Sequence, residues 1–205
     1  MPPLINVADR VPVTEAEGPG RRFALWVQGC PLRCPGCCNP HFLEFTDADW
    51  VEVEDLAAEI LSHREEIEGV TFIGGEPFSQ AAGLAALARR VQQAGLSVMI
   101  FTGHLLEELQ ARGPAHEALL AETDLLVDGP YLREKHLDDR RWIGSANQRV
   151  HYLTDRYRQL EENPSGWDEG RNTIELRLVN GQVTINGFPE ASITNLARKR
   201  KAEDS

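Results

Sequence analysis

Two rhythms of apolar residues run along the chain. The first is the short continuous run of strand length, at 23–27 (Phe-Ala-Leu-Trp-Val), 70–73 (Val-Thr-Phe-Ile), 96–101 (Leu-Ser-Val-Met-Ile-Phe) and 124–127 (Asp-Leu-Leu-Val). Runs of this kind suit strands buried on both faces of a sheet. The second is helical spacing. Val53, Leu56, Ala57, Ile60 and Leu61 stand at i, i+3, i+4, i+7 and i+8, with Asp47 and Asp49 upstream as candidate caps. Leu84, Leu87, Ala88 and Val91 form a second stripe, and Gly95 is the expected stop. Leu105, Leu106 and Leu109 predict a short helix broken by Gly113-Pro114, and 117–121 adds a further turn or two.

Strand, loop and helix therefore alternate about four times, which predicts an α/β fold with a parallel sheet and right-handed crossovers. Around this repeat, 4–8 and 11–13 predict a short leading strand or hairpin, and 150–153 a last strand. Residues 131–149 are polar and irregular, and 161–172 read as a polar loop. Segments 173–179 and 182–186 flank Asn180-Gly181, a strong hairpin signal. The tail from Arg198 to Ser205 is charged and reads as frayed and solvated. No internal repeat and no boundary to a second domain is visible.

Composition narrows the function classes. The 205 residues are enough for one domain with a real core, and 41% hydrophobic with 26% charged content reads as an ordinary soluble globular protein. No apolar run approaches the roughly 18 residues of a membrane span. The start, Met1-Pro2-Pro3-Leu4, has no basic stretch followed by an apolar one, so no signal peptide is expected. A net charge of −11 argues against a large nucleic-acid footprint.

The candidate chemistry lies in Cys30-Pro31-Leu32-Arg33-Cys34-Pro35-Gly36-Cys37, directly after the first strand run. All four cysteines of the chain fall between 30 and 38, where they cannot staple distant segments. Clustered thiols without a secretion signal point to metal or redox chemistry in a reducing cytosol. Zinc would want a second cysteine pair or a histidine partner downstream, so the C-x3-C-x2-C spacing favours an iron–sulfur centre. A [4Fe–4S] cube normally takes four cysteines, and three leave one iron open to a non-protein ligand. Cys38, next to Cys37, is poorly placed to close the same cube and reads as a buried small residue. His41 reads as a hydrogen-bond partner. Other polar residues also follow strand runs: Glu76 in Gly74-Gly75-Glu76-Pro77, Thr102-Gly103, and Asp128 in Asp128-Gly129-Pro130. In a parallel sheet these ends share one edge and can face one cleft.

The motif Gly18-Pro19-Gly20-x-Arg22, then Gly29-Cys30-x-x-x-Cys34-Pro35-Gly36-Cys37-x-Asn39-Pro40, resembles the radical S-adenosylmethionine (SAM) superfamily, and within it the activating enzymes of glycyl radical enzymes. Asp128-Gly129-Pro130-Tyr131 and Gly144-Ser145-x-Asn147-Gln148-Arg149 are most similar to the anaerobic ribonucleoside-triphosphate reductase activating branch. The similarity spans about Gly18 to Tyr152. It implies a partial (β/α) barrel over 1–160, with 161–205 as a C-terminal extension carrying the hairpin, in a single domain overall. It implies that Cys30, Cys34 and Cys37 hold the [4Fe–4S] cluster and that the open iron takes the amino and carboxylate groups of SAM. Gly74, Gly75 and Glu76 would meet the SAM amino group, since glycines permit close backbone approach and a carboxylate suits an ammonium.

The resemblance further implies reductive cleavage of SAM to a 5′-deoxyadenosyl radical that takes hydrogen from a backbone glycine of a partner protein. The electron donor would be flavodoxin- or ferredoxin-like, and the enzyme cytoplasmic. Thr102 is a candidate for the SAM methionine or ribose, with a plain strand end as its alternative. Asp128 is one for SAM, a cation or the incoming protein loop, with a turn cap as its alternative. Asn147, Gln148 and Arg149 are candidates for the adenosine or substrate side. Arg22 would stabilise negative charge at the cluster or be a surface charge. Two departures stand out: Cys38 replaces the usual apolar residue, and the C-terminal part is longer than compact activases need. One alternative is radical SAM modification of a small molecule or peptide, as in deazapurine-forming relatives. The other is a non-catalytic iron–sulfur electron-transfer module.

Overall fold

The computed structural model describes residues 2–137, 139–162, 173–179 and 182–187. The leading segment is one 11-residue strand, β1 (Leu4–Thr14), rather than a hairpin. It is kept extended by partners on both sides: antiparallel β2 (Arg22–Val27) and antiparallel β3 (Asp49–Glu52). β3 was not legible, because Asp-Trp-Val-Glu has no strand-like apolar run. Its formation also removes the expected caps from helix α1 (Val53–Ser62), whose N-cap is Glu52 without a side-chain bond. Asp49 instead pairs with Val7 across the ladder, and Asp47 accepts a 2.7 Å bond from the Trp50 indole.

The alternating repeat follows as predicted: β4 (Gly69–Gly74), α2 (Ala81–Gln93), β5 (Ser97–Phe101), α3 (Leu106–Gln110), α4 (Pro114–Ala121) and β6 (Leu125–Asp128). Then come β7 (Arg149–Tyr152), α5 (Arg158–Glu162), β8 (Ile174–Val179) and β9 (Gln182–Gly187). α5 thus takes the first two positions of the expected polar loop. Seven strands form one sheet in the order β3-β1-β2-β4-β5-β6-β7. β2, β4, β5 and β6 run parallel, with antiparallel strands at both edges. This is a mixed α/β fold with a mostly parallel central sheet. β8 and β9 pair antiparallel as a separate hairpin. The Asn180-Gly181 turn, most of the 161–172 loop and the tail from Arg198 lie outside the described residues.

Strand pleating sorts the apolar runs onto two faces. Phe23, Leu25, Val27, Val70, Phe72, Val98, Ile100 and Leu126 pack in one core with Leu56, Ile60, Leu84, Leu87 and Val91 of α1 and α2. Burial of each such side chain contributes about 1.5–3 kcal/mol. The alternate positions face the other way. Val11, Ala24, Trp26 and Ile73 form one cluster there, and Met99, Leu125, Val127, Ile143 and Tyr157 another.

Candidate active site

The parallel strands β2, β4, β5 and β6 end on one rim, and the chemistry-bearing loops gather there. The cysteine loop leaves β2 and is anchored at its root. The Gly29 and Cys30 amides donate to the Phe42 and Leu43 carbonyls at 2.9 and 3.0 Å. Cys30 is buried, while Cys34 and Cys37 are half-buried. The Cys37 amide bonds the Cys34 carbonyl at 3.1 Å, closing a turn through Gly36 at φ +87°. The Asn39 N–H donates to Cys37 Sγ at 3.4 Å, and the backbone of Leu32 and Arg33 near Cys30 and of Tyr131 near Cys34 pulls those thiols down. Amides aimed at thiolate sulfurs are a known determinant of iron–sulfur potentials. This donor set fits a cluster held by three thiolates. Among the described residues, no three His, Cys, Asp or Glu side chains already converge on one point.

Burial pushes the Cys30 and Cys34 thiols up, against that pull. Cluster assembly there must displace protons. Cys37 is held down to about 6, chiefly by its hydrogen bond with Cys38.

Gly74, Gly75 and Glu76 lie against this root. The Gly75 amide donates to the Val27 carbonyl at 2.7 Å and the Glu76 amide to the Gly29 carbonyl at 2.8 Å. A Cβ on Gly75 would sit 2.3 Å from the Gly29 oxygen, and one on Gly74, at φ +108°, 2.7 Å from Trp26 backbone. The glycines therefore let the end of β4 seat directly on the cysteine loop. The Glu76 carboxylate is buried and turned inward. It accepts from the Phe78 amide (3.0 Å), the Thr102 hydroxyl (2.8 Å) and the Gly103 amide (3.0 Å). Burial pushes its pKa up, while these three bonds oppose the rise. Thr102 is thus brought to Glu76, as a brace between β4 and β5.

Asp128 is fully buried and accepts from the Leu106 amide at 2.8 Å and from Arg149, with His151 at 3.0 Å. Burial raises its pKa, but Arg149, the Leu106 amide and His151 hold it below the ordinary value. It ties β6, β7 and the start of α3 together. The Asn147 amide donates to the Pro130 carbonyl at 2.7 Å, and Gln148 binds the Gly144 and Ser145 amides at 2.9 and 3.1 Å. These residues pin the 129–132 turn that carries Tyr131 to Cys34.

Arg22 is a correction. It is neither near the cysteines nor on the surface. It starts β2, at the opposite end of the strand from Cys30, and is fully buried. Its guanidinium donates to Thr71 (2.7 Å), Ser97 (3.1 Å), Tyr157 (3.3 Å) and the Pro19 and Val70 carbonyls (3.2 and 2.6 Å). Cys38 is likewise exposed rather than buried. It lines, with His41, a cavity of about 240 Å³ beside the cysteine loop.

That cavity contains a residue the sequence did not single out. Glu17 is buried there, and burial pushes its carboxyl up to about 7, with the Gly187 amide opposing and Glu175 adding. A carboxylate just before Gly18-Pro19-Gly20 reads as a solvated loop residue, and the segment that buries it is far away in the chain.

Comparison with known proteins gives a consistent result. The family model described as a 4Fe-4S single cluster domain matches residues 16–151. The anaerobic ribonucleoside-triphosphate reductase-activating protein of Vibrio cholerae serotype O1 is 32% identical over 158 residues, 73% of this chain and 99% of that protein. The pyruvate formate-lyase-activating enzyme of Staphylococcus epidermidis is 32% identical over 133 residues, 62% of this chain and 51% of that one. Among solved structures, QueE from Escherichia coli aligns with a TM-score of 0.38 at 23% identity over 49% of this chain and 52% of that one, too slight a likeness to argue from. Among the described residues, no helix is long and apolar enough to cross a membrane.

Proposed function

The chain belongs to the 4Fe-4S single cluster domain family, and from that premise we propose that it is a cytoplasmic radical SAM enzyme that installs a glycyl radical on a partner protein. Its relatives named as activators of anaerobic ribonucleoside-triphosphate reductase make an enzyme of that kind the first partner to test. A [4Fe–4S] cluster bound here would supply one electron to cleave SAM into methionine and a 5′-deoxyadenosyl radical that takes hydrogen from a glycine. Cys30, Cys34 and Cys37 are the ligands in this reading. The observation that carries it is a set of three thiols in one anchored loop on the rim where the Gly74-Gly75 turn seats, with the Gly75 and Glu76 amides bonded to the Val27 and Gly29 carbonyls at the root of that loop.

The residues around the cluster have separate tasks. The Gly74–Glu76 backbone would approach SAM, and the Glu76 carboxylate, braced by Thr102 and Gly103, would keep that backbone in place. Asp128 and Asn147 would act through the turn they pin rather than by direct contact. Trp26, Ile73 and Phe42 would form the apolar part of the space beside the cysteine loop, which Asp9, Glu17, Asn39 and His41 also line. The sheet would be the wall of a partial barrel, and the electron donor a flavodoxin- or ferredoxin-like protein. A second reading, modification of a small molecule, would leave the added partner protein unmodified.

The test is anaerobic reconstitution with iron and sulfide, then dithionite and SAM, with 5′-deoxyadenosine as the readout. Cys34→Ala is expected to abolish that product. Zinc in the thiol site, or a reduced cluster whose paramagnetic resonance ignores SAM, would overturn the proposal. A glycyl radical doublet on the added partner separates the activase reading from the small-molecule one.

A further inference from the structure

The second face of the sheet, beside the cysteine loop, is partly covered. The end of β9 lies over it: Ile185, Asn186 and Gly187 close the cavity whose other walls are Trp26, Ile73 and Phe42. What remains, about 240 Å³, is below the roughly 300–1,000 Å³ of ordinary small-ligand pockets. An extended segment of another protein entering there would meet Ile185, Asn186 and Gly187. If the proposed function holds, on which this inference rests, the hairpin must leave before a glycine can reach the site.

The attachment of the hairpin is of a kind that can be undone. The Gly187 amide donates to Glu17 Oε1 at 2.8 Å, and the Glu15 amide to Glu175 Oε1 at 2.7 Å. Arg177 donates to the Val13 carbonyl, and Arg141 to Thr173 Oγ1 at 3.1 Å. These are polar bonds at the edge of the sheet. Leu176 and Leu178 on β8 contribute little to holding it, being 66% and 73% exposed. Elements with few buried apolar contacts open most readily. Asn186 adds a further sign. It is only 4% exposed, lines the cavity, and its Nδ2 has no hydrogen-bond partner among the described residues. A buried amide donor without an acceptor favours undocking. The family match ends at residue 151, so the hairpin lies outside it.

We propose that the C-terminal hairpin is an intramolecular plug, its Asn186–Gly187 end occupying the place an extended segment of the protein substrate takes, and that the substrate displaces it. The latch is the bond from the Gly187 amide to Glu17. The plug presents a glycine held by its backbone amide, the residue type the proposed reaction acts on. Gly187 sits at φ +93°, and a Cβ there would lie 2.2 Å from the Thr173 carbonyl oxygen. Gly187→Ala therefore pushes the end of β9 away from the Thr173 end of the hairpin and displaces the amide that binds Glu17, with Ala16 also within 3.4 Å of the new Cβ.

The experiment uses the full-length protein and needs neither cluster nor SAM. Amide hydrogen exchange is followed in wild type, Gly187→Ala and Arg177→Ala. The probe is a fluorescein-labelled hexapeptide, Gln-Val-Thr-Ile-Asn-Gly, the sequence of β9, and its binding is read by anisotropy. Exchange over 174–187 is expected to rise at least about tenfold in both variants, with β2, β4 and β5 unchanged. Both are expected to bind the peptide at least about tenfold more tightly than wild type. Adding Glu17→Ala to Gly187→Ala should remove that gain. Unchanged exchange in both variants, or faster exchange with no gain in peptide binding, overturns the plug. Peptide capture without 5′-deoxyadenosine formation in the reconstituted enzyme sinks the proposed function alone. The converse sinks the plug alone.

Discussion

Replacing Glu17 by glutamine tests how the cavity is built. The carboxyl ordinarily titrates at 4.5, and burial moves it to about 7. Between these values the unfolded chain has lost its proton and the folded chain has kept it. Because the folded state binds more protons, stability falls as pH rises through this window. The contribution is fully present below 4.5 and lost above about 7. At about 1.4 kcal/mol for each unit, the difference between wild type and Glu17→Gln comes to on the order of 3 kcal/mol. Glutamine can still accept the Gly187 bond but never ionises. The other titratable groups facing the cavity are Asp9 from β1, Cys38 and His41 from the cysteine loop, and Glu175 from β8, and they are the same in both proteins. The assay is anaerobic urea unfolding of both proteins from pH 4.5 to pH 8. Wild type is expected to lose about 3 kcal/mol relative to Glu17→Gln across that range. Curves that stay parallel within about 0.5 kcal/mol would refute the buried carboxyl.

Arg22→Met leaves Thr71, Ser97 and two carbonyls without their donor, so a loss of about 3–5 kcal/mol in unfolding free energy is expected, and a loss below about 1 would count against that network. Gly75→Ala drives a Cβ to 2.3 Å from the Gly29 oxygen. It should cost about 1–3 kcal/mol and lower iron incorporation, read by metal analysis after reconstitution. Cys38→Ala should keep the iron content of wild type; a drop to the level of Cys34→Ala would make Cys38 a ligand.

The strand–helix alternation and the rim were legible because each rests on local rules. Apolar runs of four to six residues followed by glycine, and stripes such as Leu84-Leu87-Ala88-Val91, carry their own period. The three-cysteine spacing is equally local, since eight residues suffice to bring three thiols to one metal. β3 escaped because its pairing with β1 is supplied by Leu4 to Val7, not by its own four residues. Arg22 was misplaced for a related reason. A charge beside a loop reads as surface or site, and only the packing of Pro19, Thr71, Ser97 and Tyr157 around it offers enough acceptors to bury it.

The sequence by itself determined the alternation of strands and helices, the edge on which the polar loops gather and the clustering of the thiols. It also marked the C-terminal hairpin as an addition. Tertiary structure alone decided which carboxylates face a ligand and which brace the fold: Glu76 and Asp128 are turned inward and Glu17 is sealed in. It also decided that the hairpin's end lies over the cysteine loop. The physical reason is range. Periodicity and metal spacing are set within a few residues, whereas the burial of a charged group depends on segments as far apart as Glu17 and Gly187, which only the folded chain brings together.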